Sequence, residues 1–473
     1  MVRRLAAVRR HWLFVLIMTL GAALRALAWA AYQPALFYSD SVNYLANTFR
    51  IPNEAWHPPG YPIFLDALLS GHHLAVVGAV QHLLVLADGV AIYLVLLRLG
   101  CSRVAATLAA TPLLLDAYQV QIEQYVLSEA LFETLLTAAV VIAMWPSRDG
   151  VRRVDPWRAT AVALLIGLSV LVRLDALGLA LPLGLWLLWT GWREHSWRMF
   201  VPIVAGIVGF ALPVAVLLGL RGVGTNGKHI NGMSPIWLYS RVAPIANCPH
   251  DDLPARLQQL CPVEPLGHRP GPIYYQDYGG APEWVFLRAH TGDTQALEDF
   301  ASHVIEHQPL GYARAVLVDF AQQFRPTRAQ NPNGPEVKSW QFRLTLTPVD
   351  STKPVPQKVV DDYGSGRARL NLGLARMLRH YQHYGYLPGP VVALLLAFGA
   401  GVLAVRRRHP LAPVLLLVLG SAVMAVLDAT ATVLFSWRYV LPTLFLYPPA
   451  AALAWVMLRT PVHAGAHDSR RDH

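Results

Sequence analysis

The sequence predicts an all-α polytopic membrane protein. Three observations carry that reading. The chain has 473 residues, of which 54% are hydrophobic and only 14% charged, whereas a soluble domain carries roughly a quarter charged residues. Its apolar residues fall in solid runs close to the roughly 20 residues that span a bilayer core. Those runs show none of the alternation a membrane β-barrel needs.

Ten spans are expected, at about residues 12–31, 76–97, 104–118, 128–145, 159–172, 177–192, 198–220, 388–405, 411–434 and 438–458. The first begins beside basic residues and could pass for a signal peptide. Its apolar run exceeds the usual 7–15 residues of such a core and more spans follow, so it reads as a retained helix. The third and fifth are short, with breaks at 116–127 and 173–175. Irregular backbone at membrane depth survives only inside protein or beside water.

Charge orients the chain. Arginines cluster at Arg3, Arg4, Arg9 and Arg10, at Arg98 and Arg103, and at Arg148, Arg152, Arg153 and Arg158. They recur at Arg193 and Arg198, at Arg406, Arg407 and Arg408, and at Arg459, Arg470 and Arg471. The alternate loops hold few: Arg50, Arg173 and Arg438. Basic short loops face the cytoplasm. Both termini are therefore expected inside, with loops 32–75, 119–127, 173–176 and 221–386 outside. The same bias accounts for the net charge of +10 without any nucleic-acid partner.

The expected organisation is spans 1–7 over residues 1–220, an extracytoplasmic domain at 221–386, and spans 8–10 with a cytoplasmic tail at 387–473. Loop 32–75 is too polar to span. Asp40, Tyr44, Leu45 and Phe49 share one side of a short helix expected to lie on the membrane, and 63–69 reads as a second surface helix. Pro58-Pro59-Gly60 forces a turn between them. In the outer domain, residues 296–307 and 309–324 have helical spacing, with Asp293 or Thr294 as a cap and Pro309 at a helix start. Residues 326–366 show little periodicity and read as mobile. Cys248 and Cys261 both fall in this domain, where an oxidising exterior favours a disulfide; Cys101 falls in a cytoplasmic turn.

Ionisable groups at membrane depth are functional candidates. Those expected at the outer rim are Arg25, Asp40, His57, Asp116, Glu123, Glu129, Arg173, Asp175 and Arg438. Acids mixed with arginines suit an anionic substrate beside a base or a metal. Asp40 is the foremost base, with helix capping as its structural alternative. Glu129, beside Ser128, suits a helix start or a second acidic site facing Asp40. Arg173 and Arg438 suit phosphate through their planar forks, or snorkel to the interface. Arg25 fits snorkelling too. The pairs His303/His307 and His380/His383 read as solvated helix faces. No nucleotide-binding glycine loop, nucleophile elbow or zinc motif is present.

The ordered set Asp40-Ser41-Val42-Asn43-Tyr44, His57-Pro58-Pro59-Gly60-Tyr61-Pro62, Leu127-Ser128-Glu129, Val172-Arg173-Leu174-Asp175 and Trp437-Arg438-Tyr439-Val440-Leu441-Pro442 resembles the GT-C glycosyltransferases. Within them it is similar to the branch of protein O-mannosyltransferases and lipid A aminoarabinose transferases. The resemblance implies inverting transfer of a sugar from a polyprenyl-phosphate donor to a glycan, lipid or protein of the cell envelope, at the outer face of a bacterial-type plasma membrane. It implies Asp40 as the essential acidic residue, acting as base, Glu129 at the second acidic position, and Arg173, Arg438 and His57 toward the donor phosphate. Tyr44 is counted with the second acidic or acceptor site, and Arg25 with the donor-phosphate set, from their positions alone. No cofactor is required, and a divalent cation between Asp40 and Glu129 is an option. Many relatives carry an acidic pair where this chain has Asp40-Ser41. Two other classes stay open. A transporter or flippase for a lipid-linked or anionic substrate would draw on carboxylates within spans, such as Asp88 and Asp428. A non-catalytic assembly or receptor subunit would use 221–386 for binding.

Overall fold

The computed structural model describes residues 9–47, 57–69, 73–146, 154–192, 200–221, 233–249, 252–329, 337–345 and 368–460. Helices account for nearly every regular element. Six are long and apolar enough to cross a membrane: Trp12–Ala31, Ala75–Arg98, Leu174–Trp192, Phe200–Leu220, Ala412–Thr432 and Trp437–Arg459. Arg103–Leu115, Pro156–Val172 and Gly389–Val405 are apolar but shorter, and Glu129–Met144 also falls where a span was expected. The protein is an all-α polytopic membrane protein.

In chain order the first part comprises α1 (Trp12–Ala31), α2 (Ser39–Asn47), α3 (Gly60–Leu69), α4 (Ala75–Arg98) and α5 (Arg103–Leu115). Then come α6 (Ala117–Glu123), α7 (Glu129–Met144), α8 (Pro156–Val172), a 3-10 turn over Leu174–Leu179, α9 (Ala180–Trp192) and α10 (Phe200–Arg221). The third expected span stops at Leu115 because Asp116 turns extended and caps α6, accepting from Tyr118 N at 3.0 Å. Arg328 holds the same carboxylate through both of its terminal nitrogens, which ties the break to a segment 212 residues further on.

The helices of the first loop are packed on the bundle along one side. Tyr44 and Leu45 of α2 and Tyr61 and Leu65 of α3 are buried in the bundle core. The turn at Pro58-Pro59-Gly60 is the reason. A β-carbon on Gly60 would stand 2.5 Å from the Leu171 carbonyl, so only glycine lets α3 start against the end of α8. Phe49 lies outside the described residues.

The part expected to lie outside holds α11 (Ser234–Val242), α12 (Ala255–Gln258), α13 (Pro272–Asp277), α14 (Pro282–Ala289), α15 (Thr294–His307) and α16 (Pro309–Ala321). Asp293 caps α15, accepting from Ala296 N at 3.3 Å. Met233 through Val304 supply a separate apolar core, and Cys248 and Cys261 are joined by a disulfide. A buried ion pair, Arg241 Nη1 to Asp319 Oδ2 at 2.6 Å, fastens α11 to α16.

Residues 337–345 belong with the membrane bundle, in contrast to the mobile segment expected there. Trp340 and Phe342 are buried in the bundle core. The amide of Gln382 grips them, accepting from Phe342 N at 2.8 Å and donating to Trp340 O at 3.2 Å. A short antiparallel pair, β1 (Tyr32–Gln33) with β2 (Arg369–Leu370), joins the first loop to α17 (Leu372–Gln382). The chain closes with α18 (Gly389–Val405), α19 (Ala412–Thr432), α20 (Trp437–Leu444) and α21 (Tyr447–Arg459). The last expected span is thus two helices. Tyr447-Pro448-Pro449 places prolines in the first turn of α21, where they lack the N–H that a continuous helix would need.

Gly60→Ala should lower stability by about 1–3 kcal/mol, the cost of overpacking, whereas Gly184→Ala, whose β-carbon would meet nothing within 4 Å, should be near neutral. Thermal unfolding of the two variants in detergent checks this; equal melting temperatures would refute the tight α3–α8 contact.

Candidate active site

Four segments bring a chain of opposite charges together. Asp40 lies in the first turn of α2. It does not cap that helix: Ser41 does the local work, its hydroxyl accepting from Tyr38 N at 2.9 Å. The Asp40 carboxylate faces away, with Oδ2 accepting from Arg438 Nη1 and Oδ1 3.6 Å from His57 Nε2. Arg438 is the second residue of α20, whose start is set by Ser436 Oγ accepting from Arg438 N at 3.3 Å. Its Nε donates to Glu129 Oε1.

Glu129 opens α7. The same Oε1 also accepts from Arg173 Nη1. Arg173 is the extended residue that ends α8, and Asp175 holds its other side, accepting from Nη2 at 2.7 Å and from Nε at 3.0 Å. Glu129 therefore bridges two guanidiniums, each with a second acid beyond it. Aromatic faces complete the cradle: Tyr38 lies 5.6 Å from the Arg438 guanidinium carbon and Tyr439 5.2 Å from that of Arg173. Such stacking suits arginine rather than lysine.

Exposure is graded along this chain. The Glu129 side chain is 1% exposed and those of Arg438 and Arg173 are 7%, but that of Asp40 is 25%. Asp40 is thus the member presented to solvent. Burial raises its pKa, but the Arg438 guanidinium, with His57 and Arg173 behind it, outweighs that and holds the carboxyl below the usual Asp range. Asp40 stays ionised at neutral pH. Glu129 Oε2 is buried with no hydrogen-bond partner among the described residues.

Tyr44 reaches the site from α2. Its hydroxyl is 3.2 Å from Ser128 Oγ, and its ring lies 4.7 Å from the His57 ring and 4.8 Å from the Tyr61 ring. Burial pushes its phenol upward, so Tyr44 stays neutral. Tyr38 also stacks at 4.8 Å on Trp340, so residues 337–345 cover one side of the cluster.

Six of the expected site residues are together: Asp40, Tyr44, His57, Glu129, Arg173 and Arg438. Arg25 is not with them. All its N–H groups are used elsewhere: Nε and Nη2 on Glu123 at 2.8 and 2.7 Å, and the rest on the carbonyls of Gly21, Leu113 and Leu114. His82 Nδ1 meets the same Glu123 at 2.8 Å. Arg25 thus neither snorkels nor reaches the Asp40 cluster, because a fully desolvated guanidinium needs a partner for every donor. The space between Asp40 and Glu129, offered above to a divalent cation, holds the Arg438 guanidinium. Among the described residues no group of three or more His, Cys, Asp or Glu side chains could hold a metal. Cys248 and Cys261 pack on the separate apolar core of α11 to α15, apart from this cluster.

Asp175 was among the rim candidates but was given no role. Two contributors escaped altogether. Tyr439 adjoins Arg438 in sequence yet stacks on Arg173. Trp340 had no signal, since only the fold brings it to Tyr38.

No family model matches this sequence, and no curated protein does. Among solved structures, the protein O-mannosyltransferase Pmt1–Pmt2 complex of S. cerevisiae, bound to the sugar donor, aligns with 50% of this chain and 36% of its own at 15% identity, with a TM-score of 0.36. The chain thus spans little more than a third of that protein, a likeness too slight to carry fold or activity across.

Because its pKa is lowered on folding, Asp40 adds stability above the ordinary Asp pKa and withdraws it as pH falls through the folded value. Arg438→Gln should move that loss, and the infrared band of the protonated Asp40 carboxyl, to higher pH. The band is assigned by subtracting Asp40→Asn in the same background. A band that does not move would mean that Arg438 has no hold on Asp40.

Proposed function

We propose that this protein is an inverting glycosyltransferase that moves a sugar from a polyprenyl-phosphate donor to a hydroxyl acceptor at the outer face of a cell membrane. One observation carries the reading: a partly exposed, ionised carboxylate at the edge of a buried pair of arginines. The ordered motifs that resemble the GT-C enzymes support it, since Asp40, Tyr44, His57, Glu129, Arg173 and Arg438, each drawn from one of them, converge in one cluster.

In this reading Asp40 accepts the proton of the acceptor hydroxyl. The acceptor oxygen forms a bond to the anomeric carbon as the bond from that carbon to the phosphate oxygen breaks on the opposite face. The leaving polyprenyl phosphate gains negative charge, which Arg438, Arg173 and His57 offset. Donors remain for this task, because Arg438 Nη2 makes no hydrogen bond among the described residues. Glu129 keeps both guanidiniums in place, and its unpartnered Oε2, with the Tyr44 hydroxyl, is available to sugar or acceptor hydroxyls. The termini lie in the cytoplasm, ten helices cross or enter the bilayer, and the acceptor is a glycan, lipid or protein of the cell envelope.

The competing reading is a transporter or flippase. The buried Arg25–Glu123–His82 group, with Glu133 and Asp88 deeper in the bundle, favours it. One assay separates the two. Purified protein in liposomes is given labelled polyprenyl-phosphate sugars and membrane extract. Wild type should form new glycosidic product, Asp40→Asn should lose about 10²–10⁴-fold, the usual worth of a general base, and Arg438→Lys should be impaired. Label that crosses the bilayer without new product would establish transport instead, and equal product from wild type and Asp40→Asn would remove Asp40 from the mechanism.

A further inference from the structure

The α16 helix presents an apolar face that covers nothing among the described residues. Leu310, Leu317 and Val318 are 85%, 59% and 49% exposed, and Ala313, Arg314 and Ala321 are exposed beside them. Spacings of three, four and seven residues put these on one side of a helix. The opposite side is turned inward: Val316 is buried, and Asp319 is consumed by Arg241. A helix of an aqueous domain would show water its polar side. Here the exposed side is the greasy one, with Arg314 as its single charge.

The level of α16 in the bundle explains this. Near its start, the Tyr312 hydroxyl donates to Ala431 O at 2.9 Å, at the last turn of α19. Just past its end, Gly389 N donates to Arg325 O at 3.2 Å, at the first turn of α18. No side chain would fit at Gly389, where a β-carbon would overlap the backbone of Phe324 and Arg325. The two spans are joined at their other ends by the short turn at 406–411. Counted from there, α18 with 17 residues rises about 26 Å and α19 with 21 residues rises about 32 Å. The hydrocarbon layer is about 30 Å thick. Both anchors of α16 therefore stand at its boundary, and the helix runs about 20 Å between them, given its 13 residues. On the apolar span α18, too, Leu394 and Phe398 are exposed.

We infer that α16 is an interfacial helix whose Leu310, Leu317 and Val318 face is seated in the acyl-headgroup boundary of the bilayer. Arg314 reaches from that face to lipid phosphate, as a long cation does at an interface. Through Asp319–Arg241 the seat is passed to α11 and the outer domain, which is thereby held at a fixed height above the bundle. This inference does not depend on the reaction proposed above.

Spin labels test it. Cys101 is buried and the other two cysteines are bridged, so Leu317→Cys, Leu310→Cys and, on the exposed side of α15, Glu306→Cys each report one position. In proteoliposomes the ratio of oxygen to aqueous nickel-chelate collisions should be several-fold higher at 317 and 310 than at 306. Three equal ratios would overturn the inference. So would labels at 317 and 310 shielded from both agents, which would mean that a protein surface, such as a second copy, covers the face. Either of the two α16 variants suffices if the other does not fold.

Discussion

A carboxylate with almost no exposure, inside a bundle of apolar helices, stays charged only if other groups replace the water it has lost. Glu129 meets that condition with one oxygen, which takes a hydrogen bond from each of two arginines. The rest of the site depends on this. Without Glu129, two buried guanidiniums would face each other across the mouth of the bundle, and removing one partner of a buried pair is worth about 3–5 kcal/mol. With it, Arg173 is drawn to the end of α8, Arg438 to the start of α20, and the remaining reach of Arg438 holds Asp40. The acid that meets solvent is therefore positioned by one that does not.

The fold serves this constraint by bringing helix ends together. Glu129 starts a helix, Arg173 ends one, and Asp40 and Arg438 sit in first turns. Unpaired backbone groups cluster at such ends, and charged side chains are tolerated there more readily than at mid-span. A second polar group, Arg25–Glu123–His82, does different work. Its hydrogen bonds run between α1, α4 and the α5–α6 break, with every Arg25 donor used internally. It fastens the helix break at Asp116 and the turn after Glu123, irregular backbone that a bilayer would not otherwise permit. Residues 337–345 cover one side of the Asp40 cluster through Trp340 and Tyr38.

Much of this was legible in the sequence because bilayer thickness constrains apolar runs so strongly. Helices occur in each of the ten stretches expected to span, and the polar residues stranded at their ends turned out to include Asp40, Glu129, Arg173 and Arg438. What escaped were pairings between distant segments. Nothing local distinguishes Arg25, whose partner is Glu123, from Arg438, whose partners are Asp40 and Glu129, since each is one arginine near the end of an apolar run. Nor does periodicity show that 337–345 is held by Gln382, because that grip is made through backbone groups. The break before Tyr447 did have a sign in Pro442, Pro448 and Pro449, masked by the apolar composition around them.

The central claim is that the Asp40–Arg438–Glu129–Arg173 chain is the place where a lipid phosphate and an acceptor meet. A cryo-electron microscopy map of the protein with a polyprenyl phosphate bound tests it most directly. The account predicts phosphate density within hydrogen-bonding distance of the Arg438 or Arg173 guanidinium, with Asp40 facing the same cavity. Phosphate bound elsewhere, or Asp40 turned to bulk water away from both arginines, would contradict it.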